Sequence, residues 1–218
     1  MAERSALPSQ TGRAPVSARG TRTREALVTA ARRVFERDGF LEARITDIAA
    51  EAGVAAGSFY TYFTGKEDAF AAVMEEVNEQ MLHPRLIGSA TDRSDPVGQI
   101  EAANRAYLAA YRRNAKLMAL MEQVGQVDED FRRLRLRRAK AFVDRNARAI
   151  SRLQQRGLAD PDLDPKLAAH AMSSMVSRMA YGKYVQGLVT ASPEVLTRTL
   201  TRLWANALGI TTTTTTRS

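Results

Sequence analysis

The side chains whose types and spacing could do chemistry lie together in residues 53–66, GVAAGSFYTYFTGK. At 100° per residue, Phe59 and Phe63 fall on one side of a helix and must face the protein, whereas Ser58 and Thr61 point the opposite way. The outward face is then small and carries hydroxyl groups. Such a face suits the floor of a DNA major groove, because hydroxyls can reach base edges and the threonine methyl can contact thymine.

Residues around this face can contact the phosphates of the same DNA. Tyr60 and Tyr62 lie at its rims and can donate to phosphate oxygens. Lys66 adds a positive charge at the next helix start, where free backbone N–H groups already favour an anion. The predicted DNA contacts are Arg22, Arg24, Thr46, Ala55, Ala56, Gly57, Ser58, Tyr60, Thr61, Tyr62 and Lys66. The competing interpretation is an ordinary core helix with its aromatic side chains packed inside.

Two short helices must position this face. Thr46 is a good N-cap for the first of them, and a stripe of small apolar residues follows it. Gly53 comes just after the last residue of that stripe, where a left-handed C-cap is needed. Val54 restarts the apolar pattern, which continues to Phe63. Two short helices joined around a glycine are typical of a helix-turn-helix.

The run AGVAAGSFYTYFTGKEDAF, residues 52–70, resembles the signature of the TetR family of transcriptional regulators. The resemblance runs from about Thr23 to Phe70 and departs at Ala55, where the family often has a serine or threonine capping the recognition helix. It implies an N-terminal three-helix DNA-binding domain, a connecting fourth helix, and a larger helical domain that binds a ligand and forms a homodimer. The last two long helices would then pair with those of a second copy, or alternatively bury each other within one chain.

The rest of the chain has helical patterns and no convincing strand pattern. Thr23 is expected to cap a first helix, and an apolar stripe from Phe70 to Met81 predicts the connecting helix. We therefore predict an all-α fold with an N-terminal helix-turn-helix domain and a larger C-terminal helical domain. The predicted segments are a disordered basic arm at 1–20, the helix-turn-helix domain at 21–66, the connecting helix at 67–82, the ligand-binding and dimerisation domain at 83–210, and a disordered tail at 211–218.

Arginines of the N-terminal arm offer a second contact with DNA. Arg13, Arg19 and Arg22 lie in or beside a stretch rich in Pro, Ser and Gly, for which disorder is expected. They could enter the minor groove beside the site. The alternative is a solvated leader that does not contact DNA.

Methionine and aromatic residues of the second half are candidates for lining a ligand pocket, since methionine adapts to varied shapes and the family resemblance implies a cavity. The candidates are Tyr107, Tyr111, Met118, Met121, Phe142, Met172, Met175 and Met179. The competing interpretation for each of them is core packing. A helix expected from Asp128 to Arg156 also carries ten basic residues. They form either a solvated helix surface or a mouth that draws in an anionic ligand, of which an acyl thioester is one example.

Composition and motifs exclude several classes of function. The 218 residues include no cysteine, which excludes disulfides and thiolate catalysis. No apolar run reaches the ~18 residues of a membrane helix, and no signal peptide begins the chain, so we expect a cytoplasmic protein. His83 and His170 lie in no metal-ligand spacing. We predict no enzyme activity, no cofactor and no metal.

Net charge contributes little to the DNA-binding hypothesis. The chain carries +8 overall, but residues 1–82 hold 10 Lys+Arg against 12 Asp+Glu. The basic excess therefore lies outside the helix-turn-helix half, and the motif rather than the charge indicates DNA.

The leading hypothesis is a homodimeric repressor that a small-molecule effector releases from a palindromic operator in double-stranded DNA. A ligand in the second half would tilt the connecting helix, so that DNA and ligand weaken each other's binding. The alternatives are an activator or a DNA-bound protein without a small-molecule ligand, and, from another class, a helical enzyme or scaffold whose helix-turn-helix only packs against a partner. The sequence names neither effector nor operator.

Overall fold

The computed structural model describes residues 17–83 and 95–210, and in these ranges the chain forms nine α-helices and no strand. The predicted all-α fold is thus confirmed. The helices are α1 Ala18–Glu42, α2 Ile45–Glu51, α3 Ala56–Phe59, α4 Lys66–Leu82, α5 Pro96–Arg113, α6 Ala115–Val127, α7 Glu129–Gln155, α8 Pro165–Tyr184 and α9 Pro193–Ala207. None of these helices has the length and apolar character that a membrane span requires.

The chain divides into two units, Met1–Glu76 and Val77–Ser218, and the boundary falls within α4. The predicted tail at 211–218 lies outside the described residues, as do residues 1–16 of the predicted arm, including Arg13.

The first helix begins earlier than predicted. α1 starts at Ala18, where the Ser17 side chain accepts a hydrogen bond from the backbone N–H of Gly20 at 3.2 Å. Serine is among the best N-cap residues, so this cap extends the helix into a stretch whose polar composition indicated disorder. Thr23, the predicted cap, lies inside α1 and donates to the Arg19 carbonyl at 3.0 Å. The expectation of an arm at 17–20 is therefore wrong.

Aromatic rings fill the core of the first unit. Phe35 packs against Phe40 and Phe70 with ring centroids 5.8 and 5.1 Å away, and Phe40 and Phe70 are 5.2 Å apart. Gly39 adopts φ 80°, which breaks the helical path of α1 and turns Phe40 back into this cluster. All three rings are buried, so they hold the C-terminal end of α1 against the start of α4.

Well-capped helices build the second unit. Asp95, Asp128, Asp164 and Ser192 each accept a backbone N–H with their side chains at the starts of α5, α7, α8 and α9. Proline at the first position reinforces three of these four starts, because its fixed φ suits the first turn and its missing N–H needs no partner. In this unit α7 packs along α8, and α5 packs along α9.

Candidate DNA-binding face and ligand cavity

The helix that leads into the predicted DNA-binding face has its N-cap two residues before the expected one. Arg44 is the N-cap of α2 and makes no side-chain hydrogen bond. Its carbonyl accepts from the N–H groups of Asp47 and Ile48 at 3.1 and 3.2 Å, so backbone bonds close the first turn. The prediction that Thr46 caps this helix is therefore wrong. Thr46 lies exposed in the first turn, and its predicted contact with DNA stays a prediction.

A left-handed glycine makes the turn between the two short helices. Gly53 has φ 69°, and its N–H donates to the Ala50 carbonyl at 3.0 Å. Ala55 then occupies the N-cap of α3 without a side-chain hydrogen bond, because alanine carries no hydroxyl. α3 itself is a single turn, and the N–H of Thr61 donates to the Ser58 carbonyl at 3.2 Å in the tighter turn that follows. The recognition helix is thus shorter than the sequence indicated.

The two phenylalanines of this segment face inward. Phe59 and Phe63 are fully buried, with ring centroids 5.5 Å apart. Small residues occupy the opposite side, where Ser58 is half-buried and the other members are exposed. We call this surface the α3 face, and it consists of Ala55, Ala56, Gly57, Ser58 and Thr61. Tyr60 is 62% exposed beside it, and Tyr62 is half-buried.

Lys66 does not present a free ammonium group. Its Nζ donates to the carbonyl oxygens of Phe40 at 3.0 Å, Leu41 at 2.9 Å and Ala43 at 3.5 Å. Those contacts engage all three donors of the ammonium group. The carbonyls belong to the end of α1 and the residues after it, where a helix leaves acceptors without internal partners. The structure therefore contradicts a phosphate-binding role and makes Lys66 a link between α1 and α4.

The two predicted arginine contacts lie on α1. Arg22 is exposed, and its Nε donates to the Ala18 carbonyl at 3.4 Å. Arg24 is half-buried, and its guanidinium carbon lies 5.2 Å from the centroid of the Phe63 ring. Arg24 thereby packs on the back of the segment that carries the α3 face, and phosphate contacts by either arginine stay predictions.

The second unit contains a cavity of about 1070 Å³ between α5, α7 and α8, with contributions from α6 and α9. Tyr107, Tyr111 and Phe142, three of the predicted ligand-pocket residues, line it, and contact with a ligand stays a prediction. Tyr107 meets the Phe142 ring edge-to-face at 5.5 Å between centroids. Burial, the largest cause, raises the pKa of the Tyr111 hydroxyl far above the ordinary tyrosine value, so this group is neutral at physiological pH.

The five predicted methionines do not line the cavity. Met118 and Met121 are fully buried in α6, whereas Met172, Met175 and Met179 are half-buried on α8. α8 turns a neighbouring stripe toward the cavity instead. That stripe consists of His170, Ser173, Ser174, Ser177, Arg178 and Tyr181.

Basic residues of α7 line the cavity as well, and the sequence analysis did not assign them to it. Arg138, Arg145 and Arg152 recur every seven residues, which places them on one face of α7. The sequence contains this spacing, but with ten basic residues in the predicted helix it does not single out these three. Burial lowers the pKa of Arg145 from its ordinary value, although a guanidinium remains charged at neutral pH.

Comparison with protein families identifies the first domain. Residues 27–73 match the family model described as bacterial regulatory proteins, tetR family. This match identifies the N-terminal domain as one of the TetR family. The resemblance that the helix-turn-helix residues carried is thereby confirmed over residues 27–73. No curated protein matches its sequence significantly.

Solved structures with the same fold cover most of the chain. A Rhodococcus sp. protein assigned to the TetR-family transcriptional regulators superimposes with a TM-score of 0.73 at 20% identity, covering 86% of this chain and 99% of its own. SmeT, the repressor of the multidrug efflux pump SmeDEF of Stenotrophomonas maltophilia, gives 0.67 at 23% identity, covering 85% and 91%. The fatty acid degradation regulator FadR from Bacillus halodurans gives 0.68 at 18% identity, covering 84% and 98%. At these identities the TetR-family likeness beyond residue 73 is a likeness of fold.

Proposed function

We propose that this TetR-family regulator is a homodimeric repressor that a small-molecule effector releases from a palindromic DNA operator. The observation that carries the proposal is the α3 face, a small and exposed surface held from behind by the buried Phe59 and Phe63. In this proposal residues 21–66 bind DNA, residues 83–210 bind the effector and dimerise, and residues 67–82 form the helix that connects these two domains.

Gly57 gives the strongest support for close approach of a partner to the α3 face. A Cβ added there would have no neighbouring atom within 4 Å, and the backbone of Gly57 is not in the left-handed region. The fold therefore does not require glycine at this position. A glycine here leaves the backbone bare at the centre of the face, where a base edge in the major groove would lie.

The geometry of an operator and exposed apolar residues of the second unit support dimerisation. Two recognition helices must lie about 34 Å apart to read successive major grooves on one side of B-DNA. Leu167 on α8, and Val195 and Leu203 on α9, are exposed in the single chain. Pairing of these two helices with a second copy would cover them.

The cavity of the second unit supports regulation by an effector. Its volume of about 1070 Å³ is that of a site for a drug-sized molecule. α4 runs from the first unit into the second, so a ligand that prefers one arrangement of α4 also changes the affinity for DNA. SmeT, whose fold is similar, is described as a repressor, and this supports repression over activation. The competing functions are an activator, a DNA-bound protein without an effector, and a helical enzyme or scaffold.

The DNA-binding part is tested by fluorescence anisotropy with fragments of the neighbouring genomic DNA. We expect specific, salt-sensitive binding to a palindrome. Gly57→Leu should abolish this binding without lowering thermal stability, since a Cβ at this position has no neighbouring atom within 4 Å. Ala109→Leu adds the same bulk at an exposed position of α5 and should bind as the wild type does. Equal binding by both variants would show that the α3 face does not contact DNA.

Base preference provides a finer test of the same face. Thr61 is exposed on it, so Thr61→Ala should change the affinity at one base pair by roughly 1–3 kcal/mol while leaving other positions unchanged. The measurement is competition among operators substituted at each position. A uniform loss over all sequences would assign Thr61 to the phosphate backbone instead.

A further inference from the structure

Two arginines of α7 share one wall of the cavity. The guanidinium carbons of Arg138 and Arg145 lie 5.5 and 5.2 Å from the centroid of the same Phe142 ring. Arg138 is only 9% exposed, and Arg145 is half-buried. Two positive charges are therefore held against one aromatic ring, largely away from water.

Neither of these arginines forms an ion pair with a carboxylate of the described residues. Arg138 donates through Nη2 to the Met81 thioether at 3.2 Å, and its Nε is buried without a hydrogen-bond partner there. Arg145 donates to the Leu82 carbonyl at 2.9 Å and to the Asn146 side-chain oxygen at 3.2 and 3.3 Å. A thioether is a weak acceptor, and burying a cation without an anion is unfavourable.

The rest of the lining has the same sign of charge. Arg152, Arg156 and Arg178 also line the cavity, whereas the one carboxylate among its described lining residues, Glu122, is paired with Arg135 at 2.5 Å. Charges of one sign in a low-dielectric concavity concentrate the field and attract the opposite charge. The lining therefore favours an anion and disfavours a cation.

Aromatic side chains also line the cavity. Tyr107, Tyr111, Phe142, Tyr181 and Trp204 contribute rings to the cavity. The indole Nε1 of Trp204 is buried and lacks a hydrogen-bond partner within the described ranges. It is a second unsatisfied donor on the same cavity, beside Nε of Arg138.

We propose that the cavity binds an anionic amphiphile, with its carboxylate or phosphate group on Arg138 and Arg145 and its apolar body against the aromatic rings. The proposal names the chemical class of the effector and rests on the proposed function only in taking this cavity as the effector site. An anion replaces neutral acceptors with charge-assisted hydrogen bonds, which are shorter and stronger.

Binding of the anion has a direct consequence for α4. Met81 and Leu82 form the last turn of α4, and they are the acceptors that Arg138 and Arg145 contact. A carboxylate or phosphate competes for the same guanidinium donors. The ligand therefore exchanges the contacts that hold the end of α4 to α7, and this exchange couples the occupied cavity to the connecting helix.

The test uses the purified full chain and three probes with one alkyl chain, which are decanoate, decanol and decylamine. Trp204, the single tryptophan of the sequence, lines the cavity and reports binding by its fluorescence. We expect decanoate to bind roughly 10- to 100-fold more tightly than decanol, as a hydrogen bond to a charged group gives. Decylamine should bind more weakly than decanol. Decyl phosphate, compared with decanoate, determines which anionic head group is preferred.

Variants assign the effect to the two arginines. Arg145→Gln should lose most of the preference for decanoate over decanol while leaving decanol affinity unchanged, and Arg138→Gln should do the same if it folds. Arg137→Gln removes the same charge from the exposed side of α7, which does not line the cavity, and should bind like the wild type. Equal affinities for decanoate and decanol would overturn the proposal. An equal loss of affinity for decanoate and decanol in Arg145→Gln would also overturn it, as would a failure of both decanoate and decyl phosphate to bind.

A separate measurement distinguishes failure of the anion site from failure of the proposed repressor function. The protein saturated with decanoate is titrated with operator DNA. Head-group-dependent binding that leaves DNA affinity unchanged supports the anion site and contradicts effector-controlled release. DNA release by decanol equal to that by decanoate contradicts the anion site and leaves repression by an effector intact.

Discussion

The two units of this chain differ in where their candidate sites lie. The candidate site of the first unit is on its surface, and that of the second unit is in its interior. In the first unit, aromatic rings such as Phe35 and Phe70 fill the core, and the α3 face points outward. In the second unit, five helices leave a cavity of about 1070 Å³, and the candidate site faces inward. A solid core can present a rigid surface to DNA, whereas a hollow one can change its packing when a ligand fills it.

The arginines of the two units also differ in whether they lie at the surface or line the cavity. In the first unit some arginines of α1 form ion pairs at the surface, as Arg33 does with Glu51 at 3.1 Å. On α7 the arginines divide by face. Arg132 pairs with Glu129 at 2.6 Å on the outside, while Arg138 and its neighbours of the inner face line the cavity. One residue type thus pairs with carboxylates on one face of α7 and lines the cavity on the other.

The largest effect is expected from emptying the solid core. Phe59→Ala removes a fully buried ring behind the α3 face, and large-to-small changes of this kind cost about 3–5 kcal/mol. We expect hydrogen–deuterium exchange to show early opening of residues 24–63 and anisotropy to show loss of DNA binding. Peptides from α7 and α8 should keep their protection. If they exchange equally early, the two units do not unfold separately, and the comparison between them fails.

A neighbouring substitution serves as the control for this loss. Tyr60 is largely exposed beside Phe59, so Tyr60→Ala should change stability by no more than about 0.5 kcal/mol. Its DNA affinity should nevertheless fall if the tyrosine donates to a phosphate. The pair of variants therefore separates support of the α3 face from contact with DNA.

Adding the same side chain to both units tests directly whether one is solid and the other hollow. Ala31 is fully buried in α1, and Ala31→Leu should destabilise the first unit by about 1–3 kcal/mol because a packed core resists added volume. Ala149 lines the cavity, and Ala149→Leu should leave stability unchanged or raise it by about 1 kcal/mol. Urea unfolding provides the measurement. A similar loss of unfolding free energy in both variants would mean that the cavity beside Ala149 cannot accommodate a leucine side chain.

The α3 face could be predicted from the sequence because its residues are consecutive. A step of 100° per residue decides which of Phe59, Gly57 and Thr61 point inward or outward, and no tertiary information is needed. The cavity could be predicted only in part. On α8 a methionine stripe through Met175 and a serine stripe through Ser173 both have helical spacing, and the rotation of α8 against its neighbours decides between them. That rotation is set by the packing of α8 against other helices and cannot be read from the residues of α8 alone.

The same limit explains the prediction for Lys66. A cation at a helix start indicates an anion site when only neighbouring residues are considered. Its acceptors, the carbonyls of Phe40, Leu41 and Ala43, lie 23 to 26 residues earlier in the chain. Only the tertiary packing of α1 against α4 brings them within reach.

An intermediate effect is expected from Lys66→Met, which keeps the length of the side chain and removes its charge. The carbonyls of Phe40 and Ala43 are part-buried, so losing their donor should destabilise the first unit by about 1–2 kcal/mol. The slope of DNA affinity against salt should stay unchanged. Lys166→Met, at an exposed position of α8, is the control and should alter stability little. A slope lower by about one, with stability unchanged, would restore the phosphate contact.

The smallest effect is expected on the outer face of α7, where Lys140 contacts Asp144 at 2.5 Å. The hydrogen bond from Lys140 holds the pKa of Asp144 below its usual value. Because the folded pKa lies below the unfolded one, the pair stabilises the fold above the unfolded pKa, and this contribution is lost as pH falls through the folded pKa. Asp144→Asn should therefore lower the melting temperature slightly at neutral pH and not in acid, and salt should diminish the difference. A difference that persists in acid would show that Asp144 contributes packing rather than charge, and would remove the distinction between the two faces of α7.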